Sequence, residues 1–384
     1  MKAARRMLPI LVVLSAAPLA PAQLFNSGSD GSDGALSVTT GTTTLSMPDD
    51  GIFNVTTVNV ASGATLTFTP NARNTPVYVL ATGDITIAGT VHVDGKSGTS
   101  SPPVGGQGGP GGFAGGMPAF GPNIPPGDGQ GPGAGLGGTT TGTGAAGVGA
   151  YSATGTDAND GDPYGSPLVV PLVGGSGGGG TVGQPGTGGG GGGGAILLAS
   201  NTRVHVTGTV RSWGGSGWSS ATGAGSGGAI RMVSPMVSGS GVVDVRGASG
   251  QPNFGRIRID AIDRSQLQYN FQPTSQTSVG AFMVIFPNDL PTLDIIAAAG
   301  QAIPEGSGPT QVFLPFGSDP NQTVKVQARD FTGLVPISVA LTPESGPRII
   351  YDTEIDMAGG DVAQVVVDVT LPVNTLTHIH AWTR

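Results

Sequence analysis

The sequence predicts an all-β protein in which a glycine-rich parallel β-helix, interrupted by a long insertion, precedes a β-sandwich. Three observations carry this. A seven-residue frame recurs three times between residues 89 and 247. Glycine accounts for 70 of 384 residues, while aromatics are 5% and charged residues 10%. The last hundred residues break into short alternating runs separated by turn residues.

The frame is Gly-x-Val-x-(Val/Ser)-x-Gly. It reads Gly89-Thr-Val-His-Val-Asp-Gly95, Gly208-Thr-Val-Arg-Ser-Trp-Gly214 and Gly241-Val-Val-Asp-Val-Arg-Gly247. An alternating apolar pair precedes the first two copies (Ile85 and Ile87, Val204 and Val206), and Val237 and Gly239 stand there in the third. A further strand opens each unit: Pro76 to Thr82, Gly194 to Ser200 and Gly228 to Ser234. A fourth opening, Gly255 to Ala261, reads as lacking the continuation, and Val58, Val60, Leu66 and Phe68 read as a degenerate first unit. Each unit is thus three short strands of period two with glycine at the corners. No single unit buries its own apolar face, so the units are expected to stack.

Copies two and three start 33 residues apart, but copies one and two start 119 apart. An insertion therefore spans about 99–193, and it holds more than half of the glycines. It lacks the strict Gly-X-Y period of collagen. The expectation is an irregular excursion from one corner, pinned through Val169-Val-Pro-Leu-Val173, with a packed glycine layer as the alternative.

Residues 285–384 hold 11 acidic and 4 basic residues. Their expected strands are 292–299, 310–314, 323–329, 336–341, 348–357, 362–369 and 377–383, which suits an immunoglobulin- or fibronectin-like sandwich without the Cys–Trp–Cys hallmark. The domain division is then 1–22, 23–284 and 285–384. The first span reads as an export signal: Lys2, Arg5 and Arg6, an apolar stretch from Leu8 to Ala17, then Ala20-Pro-Ala22. A secreted or cell-surface location follows, with no transmembrane segment after cleavage. Cysteine is absent, which excludes disulfides, thiolate catalysis and zinc-thiolate sites. Neither domain is net basic, so no nucleic-acid partner is expected.

The repeated strand–glycine–strand frames, with Gly-Gly-Ala-Ile opening two of them, resemble glycine-rich right-handed parallel β-helix proteins of bacterial surfaces. The resemblance covers about 50–263 and implies the pectate-lyase-like superfamily, which includes polysaccharide lyases, polysaccharide hydrolases and adhesins. Of the polygalacturonase pattern (Asn-Thr-Asp, Asp-Asp, Gly-His-Gly), only Asp49-Asp50 has a counterpart, and that pair lies ahead of the repeats.

If Val91, Val210 and Val243 point inward, alternation places His92, Arg211 and Asp244 in one outward column and Asp94, Trp213 and Arg246 in the next. Trp213 would stack on a sugar while Arg and Asp side chains bind its hydroxyls or carboxylates, and Trp218 in the following loop would add a second aromatic. The bland alternative is a solvated face of weak ion pairs. Asp157, Asn159, Asp160 and Asp162 resemble part of a Ca²⁺ loop, but the alternation breaks at Asp160 and Leu168 occupies the twelfth position, which favours a polar turn. Asp352, Glu354 and Asp356 share the outer face of one strand, and His378 and His380 share a face of the last. Gly174-Gly-Ser-Gly-Gly178 lacks the strand and helix of a nucleophile elbow, and Gly95-Lys-Ser97 lacks the first glycine of a phosphate loop. A threonine array that would suit an ice surface is not carried by the frames.

The inventory therefore points to no reaction and requires no cofactor. The expected function is a non-catalytic surface or adhesion protein that meets extracellular polysaccharide or cell-envelope components. A β-helix polysaccharide lyase or hydrolase is the alternative.

Overall fold

The computed structural model describes residues 25–121, 123–138, 146–153, 155–182, 186–217, 223–248, 252–288 and 290–384. The expected export segment lies outside them. Among the described residues there is no α-helix, and no helix is long and apolar enough to cross a membrane. Strands up to Thr277–Gly280 pair in parallel, apart from the short antiparallel pair Thr99–Ser100 and Pro103–Val104, and those from Thr292–Ala298 onward pair antiparallel.

The parallel strands form three columns in which each strand pairs with its counterpart in the next repeat. One column runs through Ile52–Val60, Val77–Ala81, Ala195–Ser200, Ala229–Ser238, Arg256–Asp263 and Thr277–Gly280. A second runs through Gly34–Val38, Ile52–Val60, Ile85–Ile87, Arg203–Val206 and Ala229–Ser238. Ile52–Val60 and Ala229–Ser238 are long enough to belong to both, so the pairing closes into a ring of six parallel strands. The third column is a separate sheet: Thr42–Ser46, Thr65–Thr69, Thr90–His92, Thr209–Arg211, Val242–Asp244 and Asn270–Gln272.

The fourth unit is therefore not truncated. Phe271 takes the valine position beside Val243 and Gln272 lies beside Asp244, without the bracketing glycines that mark the other copies. An earlier unit, Gly34–Val38 and Thr42–Ser46, was equally illegible as a repeat because it lacks the frame. The inward positions make one core: Leu66, Val91, Val210 and Val243 are all buried, joined by Ile85, Val204 and Ile230.

The insertion corrects the expectation of an irregular excursion. Its described residues hold no strand beyond Val104, yet their backbone is extensively paired. Successive N–H groups of Gly188 to Gly194 donate to the carbonyls of Thr99, Gly116, Gly223, Lys96, Phe113, Ser226 and Val93. Every third group thus goes to the same neighbouring segment, the period of a polyproline II-type helix, which has no internal hydrogen bonds and must find partners outside itself. Carbonyls of the same stretch accept from Gly106 and Gly109, from Gly178 and Gly175, and from Gly215, so it is packed on six sides. Side chains would forbid that approach, and the glycine content that suggested an irregular excursion is what permits the layer.

The layer also covers the outer side of the first column. Tyr151, Val169 and Leu172 bury against Leu80, Leu197, Ala229 and Val233, together with Ile285. Beneath residues 282–284 lies a buried charge network. Asp260 meets Arg231 at 3.3 Å and Arg258 at 2.6 Å, while Arg231 Nη2 donates to the carbonyls of Phe282 and Val284.

Beyond residue 290 two antiparallel sheets enclose a second core of Val324, Val326, Ile337, Val339, Leu341, Ile355 and Val369. One has the order Gln301–Ala302, Thr292–Ala298, Asn321–Arg329, Val362–Thr370, and the other Ile349–Asp356, Leu334–Pro343, Thr377–Thr383. The strand expected at 310–314 is absent. That segment lies between Pro309 and Pro315 without a partner strand, and Phe313 is 77% exposed. The sandwich meets the glycine layer through Arg348 N–H on Asp128 (2.8 Å), Ser345 Oγ on the Pro125 carbonyl, and His380 edge-on to Phe113.

Candidate functional site

The third parallel sheet positions the site. Its register places Val91, Val210 and Val243 side by side facing the core, so alternation turns the residues between them outward. Leu66, Val91 and Val210 leave no freedom of register, because a one-residue slip would bury His92 and Arg211.

The expected outward residues are brought together as two ion pairs around one indole. Arg211 Nε donates to Asp94 Oδ2 at 2.9 Å, across the gap between neighbouring repeats. Asp94 Oδ1 accepts the Trp213 backbone N–H at 2.9 Å, which ties the carboxylate to the tryptophan's own strand end. Arg211 lies 4.3 Å from the Trp213 ring centroid, and Arg246, from the following repeat, lies 5.9 Å away. Both guanidiniums are thus within cation–π reach of the ring. Arg246 Nη2 donates to Asp244 Oδ2 at 2.7 Å, and its Nε reaches the same carboxylate. These bonds raise the Arg246 pKa above its ordinary value. His92 Nδ1 lies 3.1 Å from Asp94 Oδ2 without the alignment of a hydrogen bond.

One placement differs from expectation. Asp244 is only 2% exposed rather than facing solvent, because Arg246 folds back over it and its backbone and side chain both donate to the carboxylate. Trp213 remains 36% exposed. Trp218 lies outside the described residues.

Trp213 and Arg246 border an open cleft of about 540 Å³, also lined by Asp94, Ser97 and Ser216. Gly95, Gly214 and Gly247, the closing glycines of the three frames, also line it. Sequence reasoning singled out the side chains but missed this glycine lining, although the repeated closing glycine was its signal. Residues with hydrogen-bonding heads and a half-exposed aromatic beside an open cleft can hold a flat polar ligand.

The other candidates assemble nothing comparable. Asp160 accepts the N–H groups of Val148 and Asp157, which is turn chemistry. Among the described residues no group of three or more His, Cys, Asp or Glu side chains could hold a metal ion. Asp352, Glu354 and Asp356 are exposed on the outer face of their strand. His378 and His380 stack at 6.4 Å, and burial pushes His380 down to about 4, with the charge on His378 adding to the effect.

No family model matches the chain, and no curated protein matches it. Among solved structures, the chitinase ChiW from Paenibacillus sp. str. FPU-7, described as a bacterial cell-surface-expressed multi-modular enzyme, aligns with 8% identity and a TM-score of 0.15. The alignment covers 91% of this chain and 24% of that one, so the chain spans about a quarter of its length. At that score the likeness carries no argument about fold or activity.

Proposed function

We propose that the chain is an exported, non-catalytic surface or matrix protein that binds carbohydrate on the third parallel sheet. Its three columns are the faces of a right-handed parallel β-helix, which serves as a rigid spacer, and the region 285–384 is a separate sandwich that mediates attachment. The observation that carries the binding reading is Trp213, held beside two guanidiniums yet bordering an open, glycine-lined cleft. An aromatic ring fixed in place offers a sugar its apolar face at little cost in side-chain entropy, and the flanking Asp and Arg groups meet the hydroxyls.

A glycan array probed with the secreted protein, alongside a polysaccharide-degradation assay, tests this. Binding that disappears in Trp213→Ala, without new reducing ends or unsaturated products, supports the reading. Release of such products turns it into a polysaccharide lyase or hydrolase, and an array with no signal removes carbohydrate altogether.

A further inference from the structure

Resting on the carbohydrate reading, we infer that the Trp213 cleft takes an internal stretch of a linear, uncharged polysaccharide running along the repeat direction.

The direction comes from the lining. Gly95, Gly214 and Gly247 belong to three different repeats, so the cleft crosses strands instead of following one. Adjacent parallel strands lie about 4.8 Å apart, which gives this lining a length of about 10 Å. That is room for a short run of sugar units. The cleft is open, so a chain longer than its lining can continue past it.

The absence of ligand charge comes from the pairing. Arg211 is matched by Asp94 at 2.9 Å and Arg246 by Asp244 at 2.7 Å, two cations against two anions around the same ring. An acidic sugar would bring a further anion beside Asp94 and the buried Asp244, which already balance the two guanidiniums. A neutral sugar leaves that balance unchanged. Its hydroxyls donate to Asp94, its oxygens accept from the guanidiniums, and its apolar face lies on the indole. Farther along the same sheet the outward side chains are uncharged as well: Thr42, Thr65, Thr90 and Thr209 are neighbours in register, with Thr44 beside Thr67.

Calorimetric titration of the full chain with two oligosaccharide ladders tests this. One is neutral (cello-, xylo-, manno- and chito-oligosaccharides) and one acidic (oligogalacturonate and oligomannuronate), each at low and high salt. The neutral ladder should bind with affinity rising from monomer to trimer and then levelling, changing less than about twofold with salt. Trp213→Ala, with unchanged circular dichroism, should weaken it by about tenfold or more, the scale of one well-placed aromatic contact, and Trp213→Tyr should retain most of it. Preference for the acidic ladder, with affinity falling as salt rises, overturns the inference while leaving the carbohydrate reading standing. So does tight binding of monosaccharides alone. Binding of neither ladder ends both.

Discussion

The carbonyl of Gly175 occupies the place that a Cβ on Gly192 would need. Gly192 lies in the paired run Gly188 to Gly194, where its N–H meets Phe113 and its carbonyl meets Gly109. A methyl there must push backbone, which cannot yield as a flexible side chain could. Gly192→Ala should therefore destabilise the chain by about 1–3 kcal/mol, as overpacking does. Gly359, with open space around its Cβ position, is the control. Gly359→Ala should stay within about 0.5 kcal/mol. Equal melting temperatures for the two variants would contradict a packed glycine layer.

Val210 and its neighbour Arg211 test the alternation in the third sheet. Val210 is fully buried between Val91 and Val243. Val210→Asp places an unpaired carboxylate there and should cost several kcal/mol, against total stabilities of about 5–15 kcal/mol. Arg211→Ser removes a partly exposed ion pair and should cost about 0–1 kcal/mol. Chemical denaturation of both variants distinguishes them, and similar midpoints would mean that the inward and outward residues had been exchanged.

Asp260 holds two guanidiniums where water does not reach. The carboxylate is fully buried and also accepts the Phe282 N–H at 2.8 Å. Asp260→Ala leaves Arg231 and Arg258 uncompensated and should destabilise by about 3–5 kcal/mol. The exposed pair Arg203–Asp84 is the comparison, and Asp84→Ala should cost about 0–1 kcal/mol. A small effect of Asp260→Ala in urea unfolding would mean that residues 282–284 do not seal the network.

Acid should loosen the seat between the sandwich and the glycine layer. His380 Nδ1 is buried without a hydrogen-bond partner, and the ring meets Phe113 edge-on. Burial first, and His378 second, lower its pKa from 6.5 to about 4, so the packed ring is held neutral. His378 is lowered as well by its own burial, against the opposing pull of Glu344. Desolvation raises the pKa of Asp128 in the same seat, and that shift acts in the opposite sense. The histidine stabilisation is complete above pH 6.5 and declines as pH falls toward about 4, because the unfolded ring takes up a proton more readily. Thermal melts over that window should show a decline that His380→Leu reduces. An identical pH profile for the two proteins would exclude the histidine as its source.

The sequence by itself determined what local pattern can determine. Alternation around Val91, Val210 and Val243 specified strands, their inward faces and their register, because the period of two depends only on backbone geometry. The same holds for the strands from Asn321 onward, where apolar and polar residues alternate on a half-exposed sheet. Repeats without the glycine frame stayed hidden, as with Thr42–Ser46 and Asn270–Gln272, since parallel pairing recruits any extended segment that places an apolar residue at the stacking position. The glycine segment could not be read either way. Its composition is the same for a disordered linker and for a packed layer, and only the partners of Gly188 to Gly194 distinguish them. The candidate site divides along the same line. Which side chains point outward was legible from spacing, but the closure of Arg246 over Asp244 is a rotamer choice, and the alignment of three closing glycines along one cleft depends on contacts between repeats. Such contacts join residues far apart in the chain, and tertiary packing alone decides them.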